Sequence, residues 1–264
     1  MDLIILFKAI ILGMVEGATE FLPISSTGHL IIAGDLLHFN DDKGKIFEIV
    51  IQLGAILAVC WEFRHRLMNT ATQINKSSSQ GFVLNLLIAF MPAGLMGLAF
   101  HKQIKQYLFS PMTVAFALIV GGFAILLFEK YHKQGEINNI ESITPSQALK
   151  IGLAQTLALF PGVSRAGATI LGGMAFGLTR QTATEFSFFL AIPIMFAATG
   201  FDLLKNIDLL SMADLPMFAT GFVTAFASAL LVIKILIRYV ANHDFTAFAW
   251  YRILFGLCVL AYFW

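Results

Sequence analysis

The sequence predicts an all-α integral membrane protein with six transmembrane helices and two re-entrant helix pairs, arranged as an inverted repeat. Three observations support this prediction. The 264 residues are 58% hydrophobic and 12% charged, with a mean hydropathy of +0.80, whereas soluble domains have about 25% charged residues. Long uncharged runs recur along the chain. Two of these runs are interrupted by polar segments that resemble each other.

Six stretches meet or approach the length of about 20 mostly apolar residues that a membrane-spanning helix needs. These predicted spans are residues 46–63, 82–100, 111–128, 186–201, 215–233 and 245–264.

Two further apolar stretches, 3–37 and 149–178, contain the polar segments TEFLPISSTGH and FPGVSRAGAT. Each stretch is predicted to form two short helices that meet at a break. Non-helical backbone at membrane depth is tolerated only where it is buried in protein or lines a wet cavity. Both breaks are therefore candidate site-forming loops.

The two broken stretches share a pattern. In each, a glycine is followed after three residues by Glu or Gln, then by Phe and Pro, and a serine follows the proline at the third position: Ser26 in one and Ser164 in the other. Three spans follow each pair, so the second half would enter from the opposite side. We expect one membrane domain, 1–264, of two inverted halves, roughly 1–130 and 146–264. Chance similarity is the alternative.

The distribution of loop cations gives the predicted orientation. Loops 64–80, 129–150 and 238–244 would share one side and carry seven Lys and Arg residues, against six on the other side. Cytoplasmic loops are enriched in these residues. The three loops are therefore predicted to be cytoplasmic and both termini external. A net charge of +1 gives no reason to expect a nucleic-acid partner.

Glu16 and Glu20 are spaced i, i+4, so they lie on one face of the first short helix. Two unpaired carboxylates there would repel each other, and carboxylates at membrane depth are costly. A hard divalent cation with oxygen ligands, Mg²⁺ or Ca²⁺, would relieve that repulsion. The alternative is that both glutamates lie in interfacial water.

After Pro23 the chain can restart a helix with Ser25 or Ser26 as its N-cap. If Ser26 caps, His29 falls at the N3 position, whose side chain folds back toward the cap. The Ser26 hydroxyl and the His29 imidazole are then expected to touch, which is a spacing suited to a nucleophile and its base. Residues Ser25 to Thr27 would also present free backbone N–H groups to an anion. Plain capping is the alternative.

The second break supplies a cation, Arg165, directly after a Pro-Gly pair. Ser164 is a plausible N-cap for the next helix, and Thr169 follows about one turn later. The guanidinium fork matches phosphate oxygens bidentately. Together the two breaks hold groups suited to a phosphoryl group. The alternative is that Arg165 only forms a salt bridge with Glu16 or Glu20.

At these motifs the sequence resembles the undecaprenyl-pyrophosphate phosphatase family of the bacitracin-resistance type. The resemblance rests on EGATEFLPISSTGHL at 16–30, FEIVIQLGAILAV at 47–59 and PGVSRAGAT at 161–169. It implies a bacterial plasma-membrane hydrolase that removes the terminal phosphate from a C55 polyprenyl pyrophosphate. It also implies a site open to the outer face and a required divalent cation. Ala166 departs from the family's usual second serine, so no hydroxyl chemistry is expected at that position.

The residues of the predicted site follow from these motifs. The predicted catalytic residues are Ser26 as nucleophile, His29 as base, Glu20 and Arg165; the predicted substrate-binding residues are Ser25, Thr27, Ser164, Arg165 and Thr169; the predicted metal ligands are Glu16 and Glu20. Attack by His29 or by a metal-bound water stays open, and so does a homodimer. The competing functions are a lipid-carrier flippase or secondary transporter, since transporters share the inverted-repeat architecture, and a non-catalytic lipid-binding protein.

Overall fold

The computed structural model describes residues 3–39, 42–132, 135–206, 208 and 211–264. Lys133, one of the loop cations counted above, lies outside the described residues. The described residues form eleven α-helices: α1 Leu3–Thr19, α2 Ser26–Leu36, α3 Asp42–Glu62, α4 Arg64–Thr72, α5 Ser77–Tyr107, α6 Pro111–Tyr131, α7 Pro145–Gln155, α8 Arg165–Ala175, α9 Arg180–Lys205, α10 Leu215–Val240 and α11 Thr246–Phe263. Within them there is no strand, and Ile137 and Leu178 form an isolated bridge. The predicted all-α class is confirmed.

Within the described residues, five helices are long and apolar enough to cross a membrane. They are Ser77–Phe100, Pro111–Tyr131, Arg180–Lys205, Met212–Val240 and Thr246–Phe263. A sixth candidate is Ile46–Glu62, which continues into α4 through a bend of 69°. All six predicted spans are therefore helical, and the chain is a multi-pass membrane protein.

The outer surface of the spans is apolar. Large hydrophobic side chains are exposed at intervals along α5 and α6, for example at Leu84, Phe116, Val120, Phe123 and Leu127. Such a surface is stable against lipid chains and would be unfavourable in water. The exposed faces are thus the surface that meets the bilayer.

Both predicted breaks are present. The first separates α1 from α2, and the second separates α7 from α8 through a 3₁₀ turn at Thr156–Leu159. Each break contains backbone in the left-handed region, with φ of 70° at Ser25, 77° at Ser164 and 92° at Gly162. Such a conformation costs a non-glycine residue about 1–3 kcal/mol and persists only where its surroundings hold it. The two serines must therefore be held by neighbouring elements.

Helices of one half pack on helices of the other half, and equivalent pairs recur. Helix α1 packs on α10, and α7, its counterpart in the second half, packs on α5, which is the counterpart of α10. The central helices α3 and α9 pack on each other, as do α6 and α11. This exchange of partners is what an inverted repeat predicts. The division into two halves across the membrane stays a prediction.

Glycines allow the short helices to approach the long ones closely. A Cβ on Gly13 of α1 would lie 2.5 Å from the carbonyl oxygen of Gly221 in α10. A Cβ on Gly152 of α7 would collide in the same way with the carbonyl oxygen of Ala89 in α5. Small residues at helix crossings permit this approach of backbones in membranes. The glycine that the two broken stretches share therefore has the same packing role in each.

Candidate active site

The carboxylate of Glu20 receives polar groups from both breaks. The Ser26 hydroxyl donates a hydrogen bond of 2.5 Å to Glu20 Oε2. Arg165 Nη2, from the second break, lies 3.1 Å from Glu20 Oε1. The side chains of Arg165 and Glu20 are each 12% exposed. A serine, a carboxylate and a guanidinium thus form one connected chain at the point where the two breaks meet.

The guanidinium of Arg165 is held by further contacts. Its Nη1 donates to the carbonyl oxygen of Ser187 at 3.2 Å and lies 3.4 Å from the Ser187 hydroxyl. The group also lies over the ring of Phe21, 5.5 Å from the ring centroid. Arg165 Nε is buried without a hydrogen-bond partner in the described part of the chain. The salt bridge that was the alternative to phosphate binding is therefore formed with Glu20, while Nε of the guanidinium has no partner among the described residues.

The serines that precede α2 and α8 occupy equivalent positions. Ser25 and Ser164 are the N-cap residues, and both have positive φ. The Ser164 hydroxyl accepts from the Gly167 N–H at 3.0 Å and donates to the carbonyl oxygen of Leu22 in the first break at 3.3 Å. The equivalence of Ser26 and Ser164 predicted from the sequence was therefore wrong by one residue, because Ser25 is the counterpart of Ser164. The second break is one residue longer between proline and cap, so the backbone pairs Ser26 with Arg165.

The expected contact between Ser26 and His29 is not formed. His29 Nδ1 lies 2.8 Å from the carbonyl oxygen of Ser25, and Nε2 lies 2.7 Å from the Tyr251 hydroxyl. Because a carbonyl oxygen can only accept, this network assigns the proton of a neutral ring to Nδ1 and makes Nε2 the acceptor. The ring also stacks on Phe255 with centroids 4.1 Å apart. Both nitrogens of the expected base are occupied, and Ser26 bonds to Glu20 instead.

Glu16 is fully buried, and neither of its carboxylate oxygens has a hydrogen-bond partner among the described residues. A buried carboxylate without partners is costly unless a cation or a proton compensates it. Oxygen-only donors at i, i+4 suit Mg²⁺ or Ca²⁺, which commonly combine one or two carboxylates with phosphate oxygens and water. The described residues contain no group of three or more His, Cys, Asp or Glu arranged to hold a metal. The predicted pair thus fits a cation only if substrate or water supplies further ligands.

Thr169 is buried next to the site and contacts Arg165 and Ser187. Its hydroxyl lies 2.9 Å from the carbonyl oxygen of Arg165 and 2.6 Å from the Ser187 hydroxyl, and the residue is 1% exposed. These contacts link α8 to α9 at the position that holds the guanidinium. Thr169 was predicted to bind substrate, and that role stays a prediction.

A cavity of about 420 Å³ extends from the Glu20 cluster. The polar residues that line it are Glu20, Ser25, Ser26, Thr27, Gln52, Gln155, Ser164, Arg165 and Asp202. Its apolar wall consists mainly of small and aromatic residues of α5 and α9, among them Phe90, Ala93, Gly94, Gly97, Ile194, Ala197, Ala198 and Phe201. Predicted residues from both breaks therefore line one cavity with a polar end and an apolar end.

Two residues of this region were not predicted to belong to the site. Tyr251 contacts His29 across 222 residues of sequence, and Ser187 contacts both Arg165 and Thr169. Neither stands in a motif that marks it as functional. The only indication in the sequence was that both are polar residues inside predicted apolar spans. Their position in a span does not predict which of the two breaks they contact.

Comparison with known proteins agrees with the motifs over the whole chain. The profile of the family described as bacitracin resistance protein BacA matches residues 9–258. A Methylobacillus flagellatus protein described as undecaprenyl-diphosphatase is 65% identical, and the match covers all of both chains. Proteins of the same description from Nitrosomonas europaea and Nitrosospira multiformis are each 60% identical, covering 98% of this chain and 95% and 96% of theirs. The chain belongs to the bacitracin resistance protein BacA family.

Proposed function

We infer that this chain is an undecaprenyl-diphosphatase, which hydrolyses undecaprenyl pyrophosphate to the monophosphate and inorganic phosphate. The enzyme would recycle the cell-wall lipid carrier and confer resistance to bacitracin. Relatives of this description match the chain at full length. The observation that carries the chemistry is the connected chain of Ser26, Glu20 and Arg165 at the polar end of an apolar cavity. Transport alone does not need a hydroxyl hydrogen-bonded to a carboxylate.

The cavity suits a ligand with a charged head and a long apolar tail. Its polar end holds Arg165 and the N-termini of α2 and α8, whose free N–H groups and positive dipole ends favour phosphate oxygens. Arg165 Nε is a donor that no described residue uses. The apolar wall between α5 and α9 would accommodate the first part of the prenyl chain, and the lipid bilayer the remainder.

The contacts favour Ser26 as nucleophile with Glu20 as its base. The Ser26 Oγ would attack the terminal phosphorus while its proton passes to Glu20 Oε2, which already accepts that hydrogen bond. The bond from phosphorus to the bridging oxygen breaks, and the polyprenyl monophosphate leaves. Water then attacks the phosphoserine, and Ser26 and phosphate are released. Arg165 would stabilise the charge that develops on the equatorial oxygens.

A divalent cation is part of the proposal, with Glu16 and Glu20 as its protein ligands. Its positive charge would offset the negative charge of the pyrophosphate and of the two carboxylates. The fully buried carboxylate of Glu16, which lacks a partner among the described residues, supports this assignment. Glu16 would then bind metal while Glu20 serves both metal and Ser26.

We place the site on the external face of the bacterial plasma membrane. The cavity wall includes Ile104, Phe109, Phe201 and Asp202, which lie where α5 ends, before α6, and at the end of α9. In the predicted orientation these ends are external. The substrate would enter from the outer leaflet, so the partners are the lipid carrier and the surrounding membrane lipids.

Release of inorganic phosphate from undecaprenyl pyrophosphate by the purified protein tests the proposal. Wild-type protein should release phosphate, Ser26→Ala should lose about 10²-fold or more in kcat, and the exposed Ser77→Ala should match wild type. If Ser26→Ala keeps normal activity, water or His29 is the nucleophile. If wild-type protein binds the lipid and moves it between leaflets without releasing phosphate, the phosphatase assignment is wrong and the flippase is correct.

A further inference from the structure

Arg252 lies in the middle of α11 and is 1% exposed. Its side chain bonds to five backbone carbonyl oxygens. Nε donates to Leu118, Nη1 to Pro23 and Val163, and Nη2 to Ala117 and Gly162, at distances of 2.8–3.4 Å. A guanidinium has five N–H donors. Every donor of Arg252 is therefore used by backbone.

The five carbonyls come from three separate segments. Pro23 is in the first break, Gly162 and Val163 are in the second, and the other two belong to α6. Carbonyls in a break have left the helical hydrogen-bond ladder, and a membrane interior offers them no water. Pro23 precedes Ser26 by three residues, and Val163 precedes Arg165 by two. One guanidinium thus ties together the two backbone segments that carry the nucleophile and the phosphate-binding arginine.

The guanidinium packs closely against Gly121 of α6. A Cβ added to Gly121 would lie 2.7 Å from Arg252 Cζ and would also collide with Nη2. No side chain fits between α6 and the group. Gly121 therefore allows the guanidinium to lie directly against α6 and limits its position there.

A saturated guanidinium has no donor left for a phosphate. Its partners are neutral carbonyls, so Arg252 is neither an ion-pair partner nor a side chain that reaches the membrane surface. We propose that Arg252 is a positioning residue that fixes the two breaks relative to each other, so that Ser26 and Arg165 meet at Glu20. The kinetic part of this proposal rests on the proposed phosphatase function.

Arg252→Lys tests the proposal, because it keeps the charge but loses the planar fork and two of the five donors. We expect a folded protein whose kcat falls about 10²-fold, the loss that a displacement of about 1 Å can cause, with KM changed less than about threefold. Gly121→Ala should lower kcat in the same way by displacing the guanidinium. Because both act on one contact, the losses should not multiply in the double variant. Gly200→Ala, where an added Cβ meets nothing within 4 Å, is the matched helix control.

Hydrogen–deuterium exchange provides a readout that does not depend on phosphatase activity. In Arg252→Lys, the backbone amides of the non-proline residues in 20–25 and 160–164 should exchange faster than in wild type, while those of α10 stay protected. Wild-type exchange in both breaks, or a normal kcat in both Arg252→Lys and Gly121→Ala, overturns the proposal. A wild-type protein without phosphatase activity refutes the proposed function, and the exchange experiment still tests the role of Arg252.

Discussion

Glu20 accepts one hydrogen bond from each break, from Ser26 and from Arg165. The sequence alone predicts that these polar residues belong to one site, but it does not predict which of them bond to each other. Carboxylates, serines and an arginine stand out in an apolar chain, so their grouping was predictable. Partner choice was not predictable in the same way. His29 bonds to Tyr251, which is 222 residues away, and Ser26 bonds to Glu20 because the helix begins at Ser26 and not one residue later.

Arg165 is expected to act mainly on the transition state. Arg165→Ala should lower kcat by about 10²-fold or more, by analogy with the loss of one oxyanion donor. Arg165→Lys should recover only part of this loss, because lysine keeps the charge but cannot form the fork. Steady-state kinetics should show a larger change in kcat than in KM. The exposed Arg238→Ala is the matched control, and a folded Arg165→Ala with normal kcat and raised KM would show that Arg165 only binds substrate.

Glu16 and Glu20 are expected to respond differently to removal of charge. Glu16→Gln should lower activity and raise the Mg²⁺ or Ca²⁺ concentration needed for half-maximal rate, because the amide is a weaker ligand. Glu20→Gln should be nearly inactive at every metal concentration, because it also removes the proton acceptor of Ser26. Phosphate release across a metal titration distinguishes the two effects. Exposed Glu136→Gln should behave as wild type, and unchanged metal dependence in Glu16→Gln would exclude Glu16 as a ligand.

Both interruptions between short helices lie where the sequence predicted them. Proline, glycine and serine runs inside apolar stretches marked both breaks, since these residues end helices and begin new ones. Two details were beyond the sequence. Counting from the prolines paired the wrong serines, because sequence does not show which serine takes a positive φ. Helix α4, Arg64–Thr72, was also missed, because its mostly polar residues lie beyond the predicted end of the span, in a segment predicted to be a loop.

Gly162 is expected to be essential to the shape of the second break. Its φ is 92°, and an added Cβ would lie 2.6 Å from the carbonyl oxygen of Val114. Gly162→Ala should therefore lower stability by about 1–3 kcal/mol and reduce activity, as measured by thermal unfolding in detergent and by phosphate release. Gly200→Ala, inside α9 in open space, should be as stable as wild type or more stable. Equal melting temperatures for both variants would show that the break adapts to a side chain.

The cavity distinguishes one end of the molecule from the other. The cavity reaches one end, where α5 and α9 finish. The opposite end carries ion pairs between Arg66 and Glu141, Arg180 and Glu129, and Lys234 and Glu62. The sequence predicted the number of spans from hydropathy, but its cation count of seven against six left the orientation weakly determined.

Cysteine labelling measures that orientation directly. In a background without Cys60 and Cys258, a cysteine at exposed Asn138 should be protected from a membrane-impermeant reagent in intact cells. A cysteine at Met212, which is 83% exposed, should react. Both should react after the membrane is permeabilised, which serves as the control for accessibility. Reaction of both positions in intact cells would contradict the arrangement of two inverted halves.

The carbonyls that Arg252 binds also constrain how the protein is made. Both breaks precede Arg252 in the chain, so during translation they leave the ribosome before the guanidinium that will bind them has been synthesised. Unsatisfied carbonyls each cost several kcal/mol in hydrocarbon. The two break segments are therefore expected to remain in the hydrated insertion machinery until α11 has been synthesised. From a messenger truncated before codon 252, the spans should insert, but the backbone of the two breaks should not reach its native conformation. We expect membrane proteases to degrade such a product.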